Sequence, residues 1–237
     1  GCALATLLSE RDPLNPQSDG SDLGRRLDWL RQGRIYRSQQ TASEWIDDRD
    51  QPSAREVRVG IMGLGVLGLD ALAALQRLRF DVAGWSRSPK TIDGVPTFSG
   101  EDGLQTFLAR TDILVVLLPL TDETRGILDQ RLIAGLARDG RLGGPVLINA
   151  GRGGLQVEAD IHAALQAGNL IGASLDVFET EPLPEGSPLW AHPQVTITPH
   201  NAAMSAPDAI AAAIIGQIRN LERGLPLRNV VDRTRGY

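Results

Sequence analysis

Glu56-Val57-Arg58-Val59-Gly60-Ile61-Met62-Gly63-Leu64-Gly65-Val66-Leu67-Gly68 is the stretch from which the rest of the chain can be read. Val57, Val59 and Ile61 alternate as in a short strand, and Val66 to Arg79 carries a helical apolar pattern. Between the two, Gly63, Gly65 and Gly68 form a G-x-G-x-x-G turn. Strand, glycine turn and helix in that order are the context a dinucleotide fingerprint requires. The first glycine permits the tight turn, the second lets backbone approach a pyrophosphate, and the third lets the helix pack on the strand. Val66 and Leu67 open the helix, whose free N–H groups and partial positive charge suit phosphates. The competing reading is a glycine-rich turn with a structural role only.

Downstream the same alternation continues. We expect a strand at 57–62, a helix at 66–79, a strand at 81–85 and a helix at 101–109. The very apolar run Asp112 to Leu118, ended by Pro119, fits a central strand buried on both faces. A helical segment within 123–137, a strand at 145–149, a helix at 157–167 and strands at 170–177 and 194–198 follow. Met204 to Arg223, rich in Ala and Ile, reads as the last helix, and Gly224 stops it. This pattern predicts an α/β fold with a doubly wound parallel sheet. Upstream the text is poorer. Residues 1–22 hold turn chemistry such as Asp12-Pro13 and Asn15-Pro16 and are expected to be irregular. From Leu23 to about Trp45 a sparse apolar face suggests a polar helix, suited either to a partner subunit or to solvent. Asp47 to Arg55 reads as a charged linker.

Composition narrows the classes. The chain has 237 residues, 42% of them apolar and 22% charged, which is ordinary for a globular protein. A net charge of −5 argues against nucleic acid or an anionic membrane as the main partner. The one cysteine, Cys2, excludes an intrachain disulfide and a Cys-based zinc site. The three histidines show no metal-ligand spacing, so no metal is expected. No apolar run is long enough to span a bilayer, and residues 1–10 lack the pattern of a signal peptide, so a cytoplasmic location is the expectation.

Ligands of such sheets bind beyond the carboxyl ends of the strands. The loops of interest are therefore 63–68, 86–90, 118–124, 149–153, 176–181 and 198–203. After the second strand, an acidic residue would select NAD by bonding its ribose. Here the run is Trp85-Ser86-Arg87-Ser88-Pro89-Lys90, with no carboxylate. Arg87 supplies a planar cation for a 2′-phosphate, Ser86 and Ser88 supply donors, and Lys90 adds charge. This favours NADP(H) over NAD(H), against a merely solvated basic turn.

Three further loops carry chemistry. In Asn149-Ala150-Gly151-Arg152-Gly153-Gly154, Arg152 is placed to hold a carboxylate, or is a surface arginine in a flexible loop. Asp176-Val177-Phe178-Glu179-Thr180-Glu181-Pro182 offers three carboxylates, of which at least one is expected simply to face solvent. Thr198-Pro199-His200-Asn201 places His200 at a strand end, whereas His162 and His192 read as structural. A carboxylate bonded to a histidine favours the imidazolium and orients the ring. With an adjacent arginine, that makes a site for reducing a 2-keto acid, because the carbonyl oxygen must receive a proton as hydride reaches carbon.

The ordered motifs G-x-G-x-x-G, Leu-Pro-Leu-Thr-x-x-Thr, Asn-Ala-Gly-Arg-Gly-Gly, Asp-Val-Phe-x-x-Glu-Pro-Leu, Pro-Leu-Trp-x-His-Pro and Thr-Pro-His resemble the D-isomer-specific 2-hydroxyacid dehydrogenases. Within that family the match is to the NADPH-preferring glyoxylate/hydroxypyruvate reductases, and it covers about 57–237. The resemblance implies a Rossmann domain and NADPH-dependent reduction of a small 2-keto acid. It implies that Arg152 binds the substrate, that His200 is the acid/base and that Glu181 pairs with it. Asp176 would contact the nicotinamide carboxamide. Leu118, Pro119 and Thr124 would line the cofactor, with Ala150 and Gly151 beside it. It also implies a homodimer formed through 23–45.

The same resemblance divides the chain into 1–22, a cofactor domain at 23–204 with the dimer helix in front, and a segment at 205–237 that would pack on a substrate domain. Two departures are visible. Asn201 stands where an apolar residue is usual, and 56 residues ahead of the first strand are too few for a complete second domain and the dimer helix. The second domain is accordingly expected to be truncated or vestigial, and the site open to water. The alternative from another class is a catalytically impaired or non-catalytic NADP-binding dimer module. A 3-hydroxyisobutyrate-type dehydrogenase shares the glycine turn but needs a large helical C-terminal domain, where this sequence has one helix and a short tail after Pro199.

Overall fold

The computed structural model describes residues 39–46, 52–202, 207–228 and 230. The expectations for 1–22, for most of 23–45 and for the final tail lie outside the described residues. In chain order the elements are β1 (Arg58–Met62), α1 (Val66–Arg77), β2 (Asp81–Ser86), β3 (Thr97–Ser99), α2 (Gly100–Ala109) and β4 (Ile113–Val116). They continue with α3 (Gln130–Ala134), β5 (Val146–Asn149), α4 (Glu158–Gln166), β6 (Gly172–Leu175), β7 (Val195–Ile197) and α5 (Pro207–Glu222). Among the described residues the seven strands form one parallel sheet in the order β3-β2-β1-β4-β5-β6-β7. The strand order reverses beside β1, which is the switch point where a doubly wound sheet opens a crevice.

Side-chain alternation explains the layers. On β4, Ile113 and Val115 join the cluster under α1 with Val59, Ile61, Leu72 and Leu75. Leu114 and Val116 point the other way, into the cluster with Phe107, Leu132, Leu147 and Ile161. All four β4 residues are buried, as a central parallel strand demands. The α1 face is less covered at the far end of the sheet. There Ser174 on β6 pairs in register with Thr196 on β7, and both are only half-buried. Polar residues occur on that face where the covering layer stops.

The structure adds detail at two points. The edge strand β3 was not anticipated. It is three half-buried residues long, too short for any period to show, and it exists because Gly84, Trp85 and Ser86 of β2 offer it a free edge. Phe98 then packs near Phe107, ring centroids 6.1 Å apart. The helical segment expected within 123–137 is α3. Asp129 caps it by accepting from the Leu132 N–H at 2.8 Å, and Gly135 ends it. Residues 121–126 upstream form turns instead, held by the Thr124 hydroxyl.

The amino-terminal edge of the sheet is tied by charge. Asp112, 1% exposed, accepts from the Arg58 N–H at 2.9 Å, from its Nε at 3.1 Å and from Nη2 at 2.7 Å. The carboxylate thereby clamps the start of β1 to the start of β4. Removing one partner of a buried, hydrogen-bonded pair leaves the other poorly solvated. We expect Asp112→Ala to cost about 3 kcal/mol of unfolding free energy in guanidinium titration. A loss near zero would show that the clamp contributes nothing.

Candidate active site

The glycine turn following β1 divides its labour among three positions. Gly63 has φ +113, a conformation that L side chains rarely adopt, and its N–H donates to the Trp85 carbonyl at 2.9 Å. A Cβ on Gly68 would lie 1.8 Å from the Gly63 carbonyl oxygen, so α1 can sit against the turn only with glycine there. A Cβ on Gly65 would meet nothing within 4 Å. The outer two glycines are thus required by the fold, and the middle one faces open space. The first bond of α1 runs from the Leu69 N–H to the Gly65 carbonyl at 2.9 Å, so the N–H groups of Val66 and Leu67 precede the ladder. Both side chains are exposed, at 75% and 50%. An open glycine, forward N–H groups and exposed apolar side chains on one helix terminus fit a pyrophosphate group with its flanking rings.

The loop after β2 flanks this turn. Ser86 is buried and its hydroxyl donates to the Ser88 carbonyl at 2.8 Å, which folds the loop back on itself. Lys90 Nζ donates to the Leu64 carbonyl, bringing a cation over the glycine turn. Arg87 is paired with Glu123. On the other side, the Thr124 hydroxyl donates to the Pro119 carbonyl at 2.7 Å and accepts from the Thr121 N–H at 2.8 Å. Leu118 is buried, and Pro119 is half-buried beside it.

The loop carrying Arg152 is built on Asn149, which is fully buried. Its amide donates to the Arg152 carbonyl at 3.2 Å and to Gln156 Oε1 at 2.8 Å, and its Oδ1 accepts from the Gly151 N–H at 3.1 Å. The Ala150 N–H donates to the Val116 carbonyl at 3.2 Å. Gln156 donates on to the Val177 carbonyl at 3.0 Å. A Cβ on Gly153 would lie 1.7 Å from the Phe178 carbonyl oxygen, so the two loops touch through backbone. The Arg152 side chain remains exposed, bonded to the Gly151 carbonyl at 2.7 Å.

Each carboxylate of the 176–181 loop has its own hydrogen-bond partner, and two of the three, Glu179 and Glu181, are also exposed to solvent. Asp176, 4% exposed, accepts from the Thr198 hydroxyl, from the Asn201 N–H at 3.1 Å and from the Ala202 N–H at 3.0 Å. Its carbonyl accepts from the His200 N–H at 2.8 Å. Glu179 binds the Glu158 N–H at 2.7 Å and so caps α4. Glu181 Oε2 lies 2.8 Å from His200 Nδ1, and Glu181 Oε1 accepts from the Phe178 N–H at 3.0 Å. His200 itself has φ +52, and the Asp176 bonds hold the loop in that shape. His162 and His192 lie apart from this cluster and pack edge-on against each other, centroids 5.7 Å apart.

Arg152, Glu181 and His200 are therefore gathered at one edge of the sheet. Asn149, Gln156 and Thr198 support them, and sequence reasoning gave those three no role. Asn149 and Thr198 were present only as motif letters and Gln156 in no motif, since such side chains show their bonding partners only once the loops are folded. Among the described residues there is no group of three or more His, Cys, Asp or Glu able to hold a metal ion. No helix of the described residues is long and apolar enough to cross a membrane.

A parallel sheet with its strand order reversing at a glycine turn, and polar side chains collected on its carboxyl edge, defines a Rossmann-type dinucleotide-binding domain. The chain belongs to the D-isomer specific 2-hydroxyacid dehydrogenases: the family model described as their NAD binding domain matches residues 23–202. Glyoxylate/hydroxypyruvate reductase A of Klebsiella pneumoniae (strain 342) is 44% identical over 211 residues, which are 89% of this chain and 66% of that protein. The chain thus spans just under two thirds of the length of that curated relative. The NADPH-dependent glyoxylate/hydroxypyruvate reductase of Sinorhizobium meliloti, solved with NADP and sulfate, is 49% identical with a TM-score of 0.86, covering 99% of this chain and 71% of that one. The D-isomer specific 2-hydroxyacid dehydrogenase of Xanthobacter autotrophicus Py2, solved with NADPH and MES, is 40% identical with a TM-score of 0.81, covering 99% of each chain.

The Glu181 carboxyl has a direction that can be tested. Partial burial pushes it up, but the hydrogen bonds from His200 and the Phe178 N–H, with the charges of His200 and Arg152, outweigh burial and hold it below its ordinary 4.5. A carboxyl lowered in the folded state stabilises the fold above 4.5 and loses that contribution as pH falls through the folded value. Glu181→Gln is expected to be less stable than the parent at pH 7, with the gap closing below pH 4.5. Denaturant midpoints across that range check it, and a gap that stays constant would contradict the assignment.

Proposed function

We propose that this chain binds NADP(H) and reduces a small 2-keto acid of the glyoxylate or hydroxypyruvate type to the 2-hydroxy acid. The observation that carries the reading is the 2.8 Å contact between His200 Nδ1 and Glu181, at the strand edge beside Arg152. The glycine cradle, open only at Gly65, fits the pyrophosphate of the cofactor, with Val66, Leu67, Leu118, Pro119, Thr124, Ala150 and Gly151 along its path. Ser86, Arg87, Ser88 and Lys90 provide donors and cations for a 2′-phosphate, and β2 ends without a carboxylate. The relatives named above, which include an NADPH-dependent reductase solved with NADP, support the same choice.

When bound, the nicotinamide supplies hydride to the carbonyl carbon. The protein's part is positional and protonic. Arg152 holds the substrate carboxylate in a bidentate grip and polarises the carbonyl. Glu181 engages Nδ1 of His200, which leaves Nε2 as the atom that gives its proton to the carbonyl oxygen. Asp176 holds the His200 loop through Thr198, Asn201 and Ala202, and we keep its expected contact with the carboxamide as part of the proposal. We also assign the chain to a homodimer in the reducing cytoplasm. In this reading α5, whose Ile210, Ile214, Ile218 and Leu221 are about half exposed, packs on a substrate domain.

Two experiments test the reading. NADPH oxidation should occur with glyoxylate or hydroxypyruvate, and His200→Ala should lower it by about 10²- to 10⁴-fold while NADPH still binds. Tight NADPH binding with no turnover in the parent would favour the non-catalytic module instead. Gly65→Val should leave the unfolding free energy within about 0.5 kcal/mol and weaken NADPH binding on the order of 10-fold or more. Unchanged binding would remove the pyrophosphate from the glycine turn.

A further inference from the structure

β2 and β4 are the two neighbours of β1, so the loops that follow them stand on either side of the glycine turn. An ion pair joins these loops: Arg87 Nη1 lies 2.8 Å from Glu123 Oε2. The Thr121 hydroxyl donates to the same carboxylate oxygen at 3.0 Å, and Thr121 is anchored in turn by Thr124. Glu123 is therefore presented by a built turn and not by a loose arm. Its side chain is 67% exposed and that of Arg87 is 45% exposed, so a solute can reach both.

We propose that Glu123 is a specificity-determining residue for the cofactor, the counter-ion that a 2′-phosphate must replace at Arg87. This rests on the NADP(H) reading above. An exposed ion pair is weak, and a phosphate dianion offers Arg87 a stronger, bidentate partner, so the exchange runs towards the phosphate. The exchange has a residual cost. Glu123 keeps its charge, remains on the turn held by Thr121 and Thr124, and repels the dianion that has taken its place. A cofactor with a 2′-hydroxyl makes no such demand and leaves the pair closed. Glu123 thus lowers the affinity for NADP(H) selectively and eases its release, while the pair bridges the β2 and β4 loops whenever no 2′-phosphate is present.

Dissociation constants of NADPH, NADH and adenosine 2′,5′-bisphosphate, measured by fluorescence titration and calorimetry on the full chain, test the proposal. Glu123→Gln should bind NADPH and the bisphosphate about 3- to 10-fold more tightly and change NADH by less than about 2-fold. Arg87→Ala should weaken NADPH by about 10-fold or more. If Arg87→Ala weakens NADPH but Glu123→Gln leaves it unchanged or weaker, the role of Glu123 falls and the NADP(H) reading stands. An equal gain for NADH in Glu123→Gln also overturns the proposal, since the effect is then general charge and not the 2′-phosphate. If Arg87→Ala changes nothing and NADH binds the parent as tightly as NADPH, the cofactor reading fails and takes the proposal with it.

Discussion

In a parallel sheet every strand delivers its carboxyl end to the same edge, and here β1 is paired on both sides, with β2 and with β4. That pairing forces two loops, 86–90 and 117–126, to meet over one glycine turn, 63–68. It succeeds because Gly68 lets α1 approach the Gly63 carbonyl and because Ile113 to Val116 can be buried on both faces. The opposite edge is closed by the Arg58–Asp112 clamp, so charge that holds the fold together is kept away from charge that serves the site. The other strand-end loops inherit their places from this frame.

The three carboxylates between 176 and 181 show how the frame assigns different work to similar groups. Asp176 is buried and accepts three hydrogen bonds from the 198–202 loop. Glu179 caps α4. Glu181 alone meets the histidine, with Arg152 near enough for its charge to help lower the carboxyl. What distinguishes them is the backbone that each can reach. Glu181 is further fixed by the Phe178 N–H, so its second oxygen is aimed and not merely available. The same logic holds at the other end of the crevice. The Thr121 hydroxyl holds Glu123 opposite Arg87, so the loops after β2 and β4 are joined by charge.

Most of the architecture was legible in the sequence, for physical reasons that differ by element. β1, β2, β4 and β5 are strongly apolar or alternating, and the structure places them within a residue or two of expectation, because burial on a parallel sheet leaves few alternatives. β3 was not legible: Thr97–Ser99 has no period of its own and is a strand only by pairing with β2. α3 lies within the 123–137 window expected for a helix, but its bounds were not legible, because the Thr124 hydroxyl and the Asp129 cap that set them depend on the folded loop. The roles of Gln156 and Thr198 were invisible because each bonds to a group brought in from another loop, and that of Asn149 because its partners, Gly151, Arg152 and Gln156, meet it only once their own loop has closed.

By itself the sequence determined the class of fold, the glycine turn and the set of residue types gathered at the strand ends. Those features are local or periodic: φ-tolerant glycines, two-sided apolar runs and loops placed directly after strands. Only the tertiary structure decided the geometry by which Glu181 meets His200, how Asn149 and Asp176 hold the two loops beside it, and that Arg87 is matched to Glu123. Those are contacts between residues 19 to 36 positions apart or held through buried polar networks. Their geometry follows from the order of strands in the sheet, which no single stretch of the chain contains.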